Sequence, residues 1–223
     1  MKYLYLWFIC LFFAGVFLYA EYRKKHIAAV ILKGLASLCF VTLGMLGAKL
    51  SGNGPAVKNI TAGLILGMIA DVMLNLRFAF PQIGKMIFLA GILVFLAGHV
   101  MYIIALAPMC DRLPLCAAAA VVLTALLLKW IFTRITAAKA FRIFGVFYLG
   151  AIMLMTCISW GLLFTAPSVF TRIFAAGAGM FLASDIILIL NTFGSEQKES
   201  FRIANIVLYY IGQLLIASAL QFM

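Results

Sequence analysis

The sequence predicts an all-α membrane protein whose eight helices each cross the bilayer. Hydrophobic residues make up 67% of the 223 residues and charged residues only 10%, whereas a soluble domain is nearer half apolar and a quarter charged. Eight apolar runs, each close to the roughly 20 residues that span a bilayer, are separated by short polar segments. Since these runs account for nearly the whole chain, we expect one integral membrane domain over residues 1–223.

The polar segments between the runs place the helices in order. We interpret the first run as a retained helix rather than a signal peptide, because the second run follows it within a few residues. The segment from Lys49 to Lys58 contains Ser-Gly-Asn-Gly-Pro, a turn signal between the second and third runs. The predicted spans are residues 3–20, 27–48, 59–76, 86–107, 115–132, 143–164, 173–191 and 203–222.

Basic residues lie mostly between the runs, where they act as topology signals and contact lipid headgroups. The formal net charge is +11, but no basic surface remains once the spans are assigned, so we expect no nucleic-acid partner. Ten Lys and Arg follow odd-numbered helices (Arg23, Lys24, Lys25, Arg77, Lys85, Arg134, Lys139, Arg142, Lys198, Arg202) and five lie opposite (Lys2, Lys49, Lys58, Arg112, Arg172). This bias predicts that the odd-numbered loops face the cytoplasm and that both termini lie outside. We expect the protein in the cell (inner) membrane.

Two aspartates, Asp71 and Asp185, are the acids that fall inside predicted spans. Asp71 shares a helical stripe with Gly63, Gly67 and Asn75, which recur every four residues, and the glycines let a neighbouring helix approach. Each aspartate lies six residues before its helix reaches the predicted cytoplasmic side, a depth of about 9 Å. An acid at this depth is costly and indicates a functional site. Pairing with a nearby Lys or His for assembly alone is the alternative.

The separation of the two aspartates, 114 residues, suggests an internal repeat. The same offset aligns Gly63 with Gly177. It also aligns Gly98 with Gly212, although few other identities are shared and chance is the alternative. A duplication would make helices one to four and five to eight parallel four-helix repeats, because an even number of spans preserves orientation. Parallel repeats with sites near the midplane occur in transporters.

Other polar side chains are expected in the same layer as the aspartates. Lys33 lies early in the second run, where it either extends to the headgroups or neutralises a carboxylate or holds a phosphate. Tyr148 lies at a similar depth in the sixth run. In the eighth run, Tyr210 and Gln213 also fall near this depth. A single internal site requires such a layer.

His99 is predicted nearer the middle of the membrane, with Tyr102 three residues later on the same face. A packed histidine without a chemical role is the alternative interpretation. Asp71, His99 and Asp185 together contain the ligand types of a two-carboxylate, one-histidine metal site. Their placement on three separate helices gives no specific metal-binding spacing, so we predict no metal.

Six sequence segments carry these polar residues in a recognisable order. They are Lys33, A-D-V-M-L (70–74), F-L-A-G-H-V-M-Y (95–102), Tyr148, A-S-D-I-I-L-I-L-N-T-F (183–193) and Y-Y-I-G-Q-L-L-I (209–216). In this order and spacing, over helices two to eight, the chain resembles the YhhN family, which includes the lysoplasmalogenases. Ala70 stands where that family commonly has Gly, and Gly34 where Pro often follows the lysine. Both departures affect packing more than chemistry.

The resemblance implies a membrane hydrolase that cleaves the vinyl ether bond of lysoplasmalogens. The products are a fatty aldehyde and glycerophosphoethanolamine or glycerophosphocholine, and the partners are a lysophospholipid substrate and membrane lipid. The chemistry needs a protonated acid and an anion, as in glycosidases, but no cofactor. We assign these catalytic roles to Asp71 and Asp185, in either order. The predicted pocket or substrate-binding residues are Lys33, Asn75, His99, Tyr102, Tyr148, Ser184, Asn191, Tyr210 and Gln213.

Two other classes of function use the same residues. A proton-coupled transporter of a small molecule or lipid would use the aspartate pair, and the predicted parallel repeats favour it. A lipid-binding membrane protein without catalysis is the third possibility. Aldehyde release from a lysoplasmalogen distinguishes the hydrolase from both.

Overall fold

The computed structural model describes residues 3–223, in which every secondary-structure element is a helix. The α-helices are α1 (Leu4–Tyr22), α2 (His26–Ser51), α3 (Pro55–Ala79), α4 (Gly84–Leu106), α5 (Leu113–Phe132), α6 (Lys139–Thr165), α7 (Val169–Phe193) and α8 (Glu199–Ala219). Over the described range all eight are long and apolar enough to span a membrane, which confirms the predicted fold class. Lys2, counted above in the charge bias, lies outside the described residues.

The helices are longer than the apolar runs that predicted them. The loop predicted from Lys49 to Lys58 is wrong in extent, because α2 continues to Ser51 and α3 begins at Pro55. Gly52 has φ +87°, a left-handed conformation that glycine adopts freely after a helix. Pro55 is the first residue of α3, where a missing N–H costs nothing. A helix boundary predicted from hydropathy falls at the first polar residues, whereas the helical backbone continues up to Gly52 and begins again at Pro55.

Two helix pairs cross closely at glycines that are 114 residues apart. In the α3–α4 pair, a Cβ on Gly98 would lie 3.2 Å from the carbonyl oxygen of Gly63. In the α7–α8 pair, a Cβ on Gly212 would lie 3.0 Å from the carbonyl oxygen of Gly177. In addition, α2 packs against α8 as α6 packs against α4. These are the contacts that the predicted repeat would relate to one another, although α1 also packs against α8.

A methyl group at Gly177 should destabilise the protein by separating α7 from α8. The added Cβ would lie 2.8 Å from the carbonyl oxygen of Gly212, and backbone cannot move aside as a flexible side chain can. We expect Gly177→Ala to cost about 1–3 kcal/mol, the usual cost of overpacking. Gly150→Ala in α6 is the matched control, because nothing lies within 4 Å of its Cβ position. Thermal unfolding in detergent measures both variants, and equal melting temperatures would contradict the close crossing.

Helix α8 is the most enclosed of the helices in residues 3–223. It packs against α7 on one side and against α1, α2 and α3 on others. Four of its polar residues point into the bundle, since Asn205, Tyr209, Tyr210 and Gln213 are all buried. This central position lets side chains of α8 reach the aspartate on α3.

Candidate functional site

Asp71 on α3 is surrounded by donors from two other helices. It is 1% exposed, and the Nζ of Lys33 on α2 lies 3.1 Å from its Oδ1. Its Oδ2 accepts hydrogen bonds from the Ser37 hydroxyl at 2.6 Å and from the Tyr209 hydroxyl at 2.5 Å. Lys33 and Ser37 lie one turn apart on α2, so one helix face supplies both. A cation and two hydroxyl donors stabilise the negative charge of this carboxylate.

A second layer of buried polar side chains holds these donors in place. Gln213 donates from Nε2 to the Tyr209 hydroxyl at 3.3 Å, and its Oε1 accepts from Tyr102 at 3.3 Å. The Tyr210 hydroxyl donates to the carbonyl oxygen of Lys33 at 3.2 Å. These residues fix the positions of Lys33 and Tyr209, and through them the orientation of the Asp71 carboxylate.

Asp185 on α7 is equally buried but has fewer partners. It is 3% exposed, and its Oδ2 accepts a hydrogen bond from the Tyr148 hydroxyl of α6 at 2.5 Å. Across residues 3–223, no basic side chain lies within ion-pair distance of it. The neighbouring Ser184 accepts hydrogen bonds from the Asn205 amide at its carbonyl oxygen and hydroxyl, both at 3.0 Å. This contact anchors α7 to α8 beside the carboxyl group.

The two aspartates, which are 114 residues apart, have different surroundings. In each half, the second helix supplies a partner to the aspartate of the third: Lys33 in one and Tyr148 in the other. An offset of 114 residues aligns Tyr209 with Phe95. Tyr209 donates a hydrogen bond to Asp71, whereas the ring of Phe95 has no hydrogen-bond donor. One acid is thus neutralised by a cation, whereas the other is held by a single phenol.

Both aspartates line one small cavity, which we call the inner cavity. Its volume is about 50 Å³, and Lys33, Tyr148 and Tyr209 also line it. By the usual measure this leaves room for a few water molecules. The site therefore combines two carboxyl groups, one cation and space for water, and it is buried in the bundle.

The inner cavity adjoins a larger one, which we call the vestibule. The vestibule has a volume of about 540 Å³ and lies at the ends of α1, α3 and α7 and the starts of α2 and α8. Asn75, Arg77, Leu188, Arg202 and Asn205 line both cavities. The vestibule therefore connects the aspartates with the end of the bundle that carries the odd-numbered loops.

The structure brings some of the predicted pocket residues to the cavities. Lys33 and Tyr148 line the inner cavity, Asn75 lines both, and Asn191 lines the vestibule. The others lie behind the cavity walls: His99, Tyr102, Ser184, Tyr210 and Gln213. Tyr210 and Gln213 contact Lys33 and Tyr209 through hydrogen bonds, and Tyr102 contacts Gln213. Ser184 anchors α7 to α8.

His99 lies in an aromatic environment rather than at a cavity. Its Nδ1 is 2.7 Å from the carbonyl oxygen of Phe95, and its ring lies 4.8 Å from that of Phe181 and 5.6 Å from that of Tyr148. Its Nε2 is buried, with no hydrogen-bond partner among the described residues. Residues 3–223 contain no cluster of three His, Cys, Asp or Glu side chains that could hold a metal ion.

Several site residues were not predicted from the sequence. Ser37 contacts Asp71 directly, and its position one turn after Lys33 is the signal that could have identified it. Tyr209 also contacts Asp71 directly, but its neighbour Tyr210 was predicted as the pocket residue in its place. Arg77 and Arg202 line both cavities, although their sequence positions indicated only topology.

Fold and site together define a multi-pass helical membrane protein with a buried charged site near one end of the bundle. The model of the YhhN family matches residues 7–220, nearly the whole chain, so the protein belongs to the YhhN family. This confirms the resemblance identified in the sequence motifs. No curated protein and no solved structure matches the chain.

Proposed function

We propose that this protein hydrolyses the vinyl ether bond of lysoplasmalogens, releasing a fatty aldehyde and glycerophosphoethanolamine or glycerophosphocholine. The observation that carries the proposal is the pair of buried carboxyl groups with unlike partners, Asp71 with Lys33 and Asp185 with Tyr148 alone, on one inner cavity. Membership of the YhhN family is compatible with this activity. The substrate is a lysophospholipid drawn from membrane lipid.

Vinyl ether hydrolysis begins with transfer of a proton to carbon. The proton adds to the vinyl carbon remote from oxygen, and the other vinyl carbon becomes an oxocarbenium ion. Water adds to that ion and loses a proton, which gives a hemiacetal. The hemiacetal collapses to the aldehyde and the glycerol hydroxyl. The reaction therefore needs an acid, an anion to stabilise the cation, and one water, the same requirements that paired carboxylates meet in glycosidases.

The surroundings of the two aspartates support one assignment of these roles. Asp71 is the anion, because Lys33 and two hydroxyl groups stabilise its charge. Asp185 is the acid, because a buried carboxyl without a cation favours its neutral form. Its Oδ2 can accept from Tyr148 while its other oxygen carries the proton toward the substrate. The inner cavity has room for the water that attacks the oxocarbenium ion.

The location of the vestibule fits a substrate taken from the headgroup layer. It opens among the odd-numbered loops, which we propose face the cytoplasm on the basis of the charge bias. In this orientation both termini lie outside, and the protein resides in the cell (inner) membrane. A lysophospholipid in the cytoplasmic leaflet would place its headgroup in the vestibule and its vinyl ether bond toward the aspartates.

Aldehyde release by the purified protein tests the proposal. Wild-type protein in detergent is expected to convert a lysoplasmalogen to fatty aldehyde, measured by mass spectrometry, and to leave the saturated 1-O-alkyl analogue intact. In deuterated water, the aldehyde should carry one deuterium next to its carbonyl carbon, because the acid delivers a solvent-exchangeable proton to that position. Absence of aldehyde, with proton-coupled flux of a solute or lipid in liposomes, would instead support the transporter.

A further inference from the structure

Arg77 at the end of α3 has a guanidinium group that is stacked but not neutralised. Its Cζ lies 4.6 Å from the ring centroid of Phe78 and 4.1 Å from that of Phe88. Among the residues from 3 to 223, its side chain has no ion-pair partner and makes no side-chain hydrogen bond. The two rings contact the guanidinium without accepting hydrogen bonds from its N–H groups, which therefore remain available for bidentate binding of a phosphate.

The other cations near the two cavities are neutralised or exposed. Arg202 donates to both carboxylate oxygens of Glu21, at 2.8 and 2.7 Å. Lys33 pairs with Asp71, and Lys198 lies 3.4 Å from Glu196. Lys24 is exposed at the vestibule, where water solvates its ammonium group. Arg77 is therefore the cation best placed to bind an anion from the vestibule.

Helix packing fixes the position of Arg77. A Cβ on Gly84 would lie 2.9 Å from the carbonyl oxygen of Arg77, so the start of α4 lies directly against the end of α3. Phe88 follows Gly84 by one turn on the same face of α4, which brings its ring over the guanidinium. A cation held in this way loses little conformational freedom when it binds a ligand.

Arg77 also lies at the correct level for a ligand that reaches the aspartates. It lines both the vestibule and the inner cavity. It follows Asp71 by six residues on one helix, a rise of about 9 Å, and its side chain reaches back to the inner cavity. In a lysoplasmalogen, the glycerol joins the phosphate to the vinyl ether oxygen. A phosphate at Arg77 therefore directs the vinyl ether bond into the inner cavity.

We propose that Arg77 binds the phosphate of a lysophospholipid headgroup and so sets the position of the substrate; this inference rests on the function proposed above. Phe78 and Phe88 orient the guanidinium, and Asp71 and Asp185 act on the ether at the far end of the glycerol. Arg77 is a substrate-binding residue for a phosphodiester with a single ether-linked chain. Lys33, occupied by Asp71, has no part in binding the phosphate.

Calorimetry with two non-hydrolysable ligands tests this assignment. The probes are 1-O-octylglycerophosphoethanolamine and 1-O-octylglycerol, which differ in the phosphate-bearing headgroup and lack the vinyl bond. Wild type should bind the phosphate-bearing ligand about tenfold or more tightly than the alcohol, as expected for charge-assisted hydrogen bonds. Arg77→Gln should lose most of this difference while binding 1-O-octylglycerol as wild type does. Arg77→Lys, which keeps the charge but not the planar fork, should retain part of it.

Arg134→Gln is the matched control. Arg134 also follows an odd-numbered helix and stacks on an aromatic ring, with its Cζ 4.8 Å from the Trp130 centroid, but it lines neither cavity. Wild-type affinities for both ligands are expected in this variant. An unchanged preference for the phosphate-bearing ligand in Arg77→Gln would overturn the assignment. Equally tight binding of inorganic phosphate would overturn the assignment to a lipid headgroup.

The binding test does not depend on turnover, so the two proposals can fail separately. If wild type releases no aldehyde but Arg77→Gln loses the phosphate preference, the proposed hydrolysis is wrong and the phosphate site stands. If wild type releases aldehyde and Arg77→Gln binds both ligands normally, the hydrolysis stands and the phosphate site is wrong.

Discussion

Replacement of Asp185 by asparagine should lower aldehyde release from a lysoplasmalogen by about a hundredfold or more, the usual contribution of a general acid. Asparagine has nearly the same shape and can still accept a hydrogen bond from Tyr148 through its carbonyl oxygen. It has no carboxylic proton to transfer to carbon. Among residues 3–223, Asp185 has no ion-pair partner that the substitution would leave unpaired. The thermal stability should therefore change little. The turnover rate and the melting temperature of the same preparation are the two measurements.

Asp111→Asn is the control for this substitution. Asp111 is exposed, between α4 and α5, and lines neither cavity. Its variant should retain the wild-type rate. A wild-type rate in Asp185→Asn would contradict the assignment of Asp185 as the acid. If its loss of activity were accompanied by a large fall in melting temperature, Asp185 would be required for folding rather than for proton transfer.

The number and order of the helices were predictable because crossing a bilayer constrains composition so strongly. The helix ends were not, since they depend on local backbone contacts. Helix α7 begins at Val169, four residues before the predicted span, because the Ser168 hydroxyl accepts from the Thr171 N–H at 3.1 Å. The Thr171 hydroxyl in turn accepts from the Ser168 N–H at 2.8 Å. Polar residues that form such a cap lower the hydropathy at the point where the helix begins.

The depth of the site residues was predictable because the rise per residue of a helix is constant. Counting from the helix ends placed Lys33 and Asp71 in one layer, and the structure joins them in an ion pair. The pair of Glu21 and Arg202 was not predictable, because its members are 181 residues apart and no spacing relates them. Ser37 was missed because serine in an apolar helix commonly bonds its own backbone instead.

Replacement of Lys33 by methionine should lower the free energy of unfolding by about 3–5 kcal/mol, the usual cost of leaving a buried charge unpaired. The Lys33 and Asp71 side chains are 7% and 1% exposed, so bulk water cannot solvate the carboxylate that remains, and the inner cavity has room for only a few water molecules. Aldehyde release should also fall, because Asp71 loses the cation that pairs with its carboxylate. Unfolding in detergent and turnover are the measurements. A melting temperature equal to that of wild type would contradict a buried ion pair.

The double variant Lys33→Met/Asp71→Asn separates a catalytic role of this pair from a purely structural one. Each single substitution leaves one buried charge unpaired, whereas the double substitution leaves none. Its stability should therefore exceed that of either single variant, a non-additive result expected for contacting residues. Asparagine can still accept from Ser37 and Tyr209, but it has no negative charge to stabilise an oxocarbenium ion. We expect stability to return without activity; recovery of both would mean that the pair serves assembly alone.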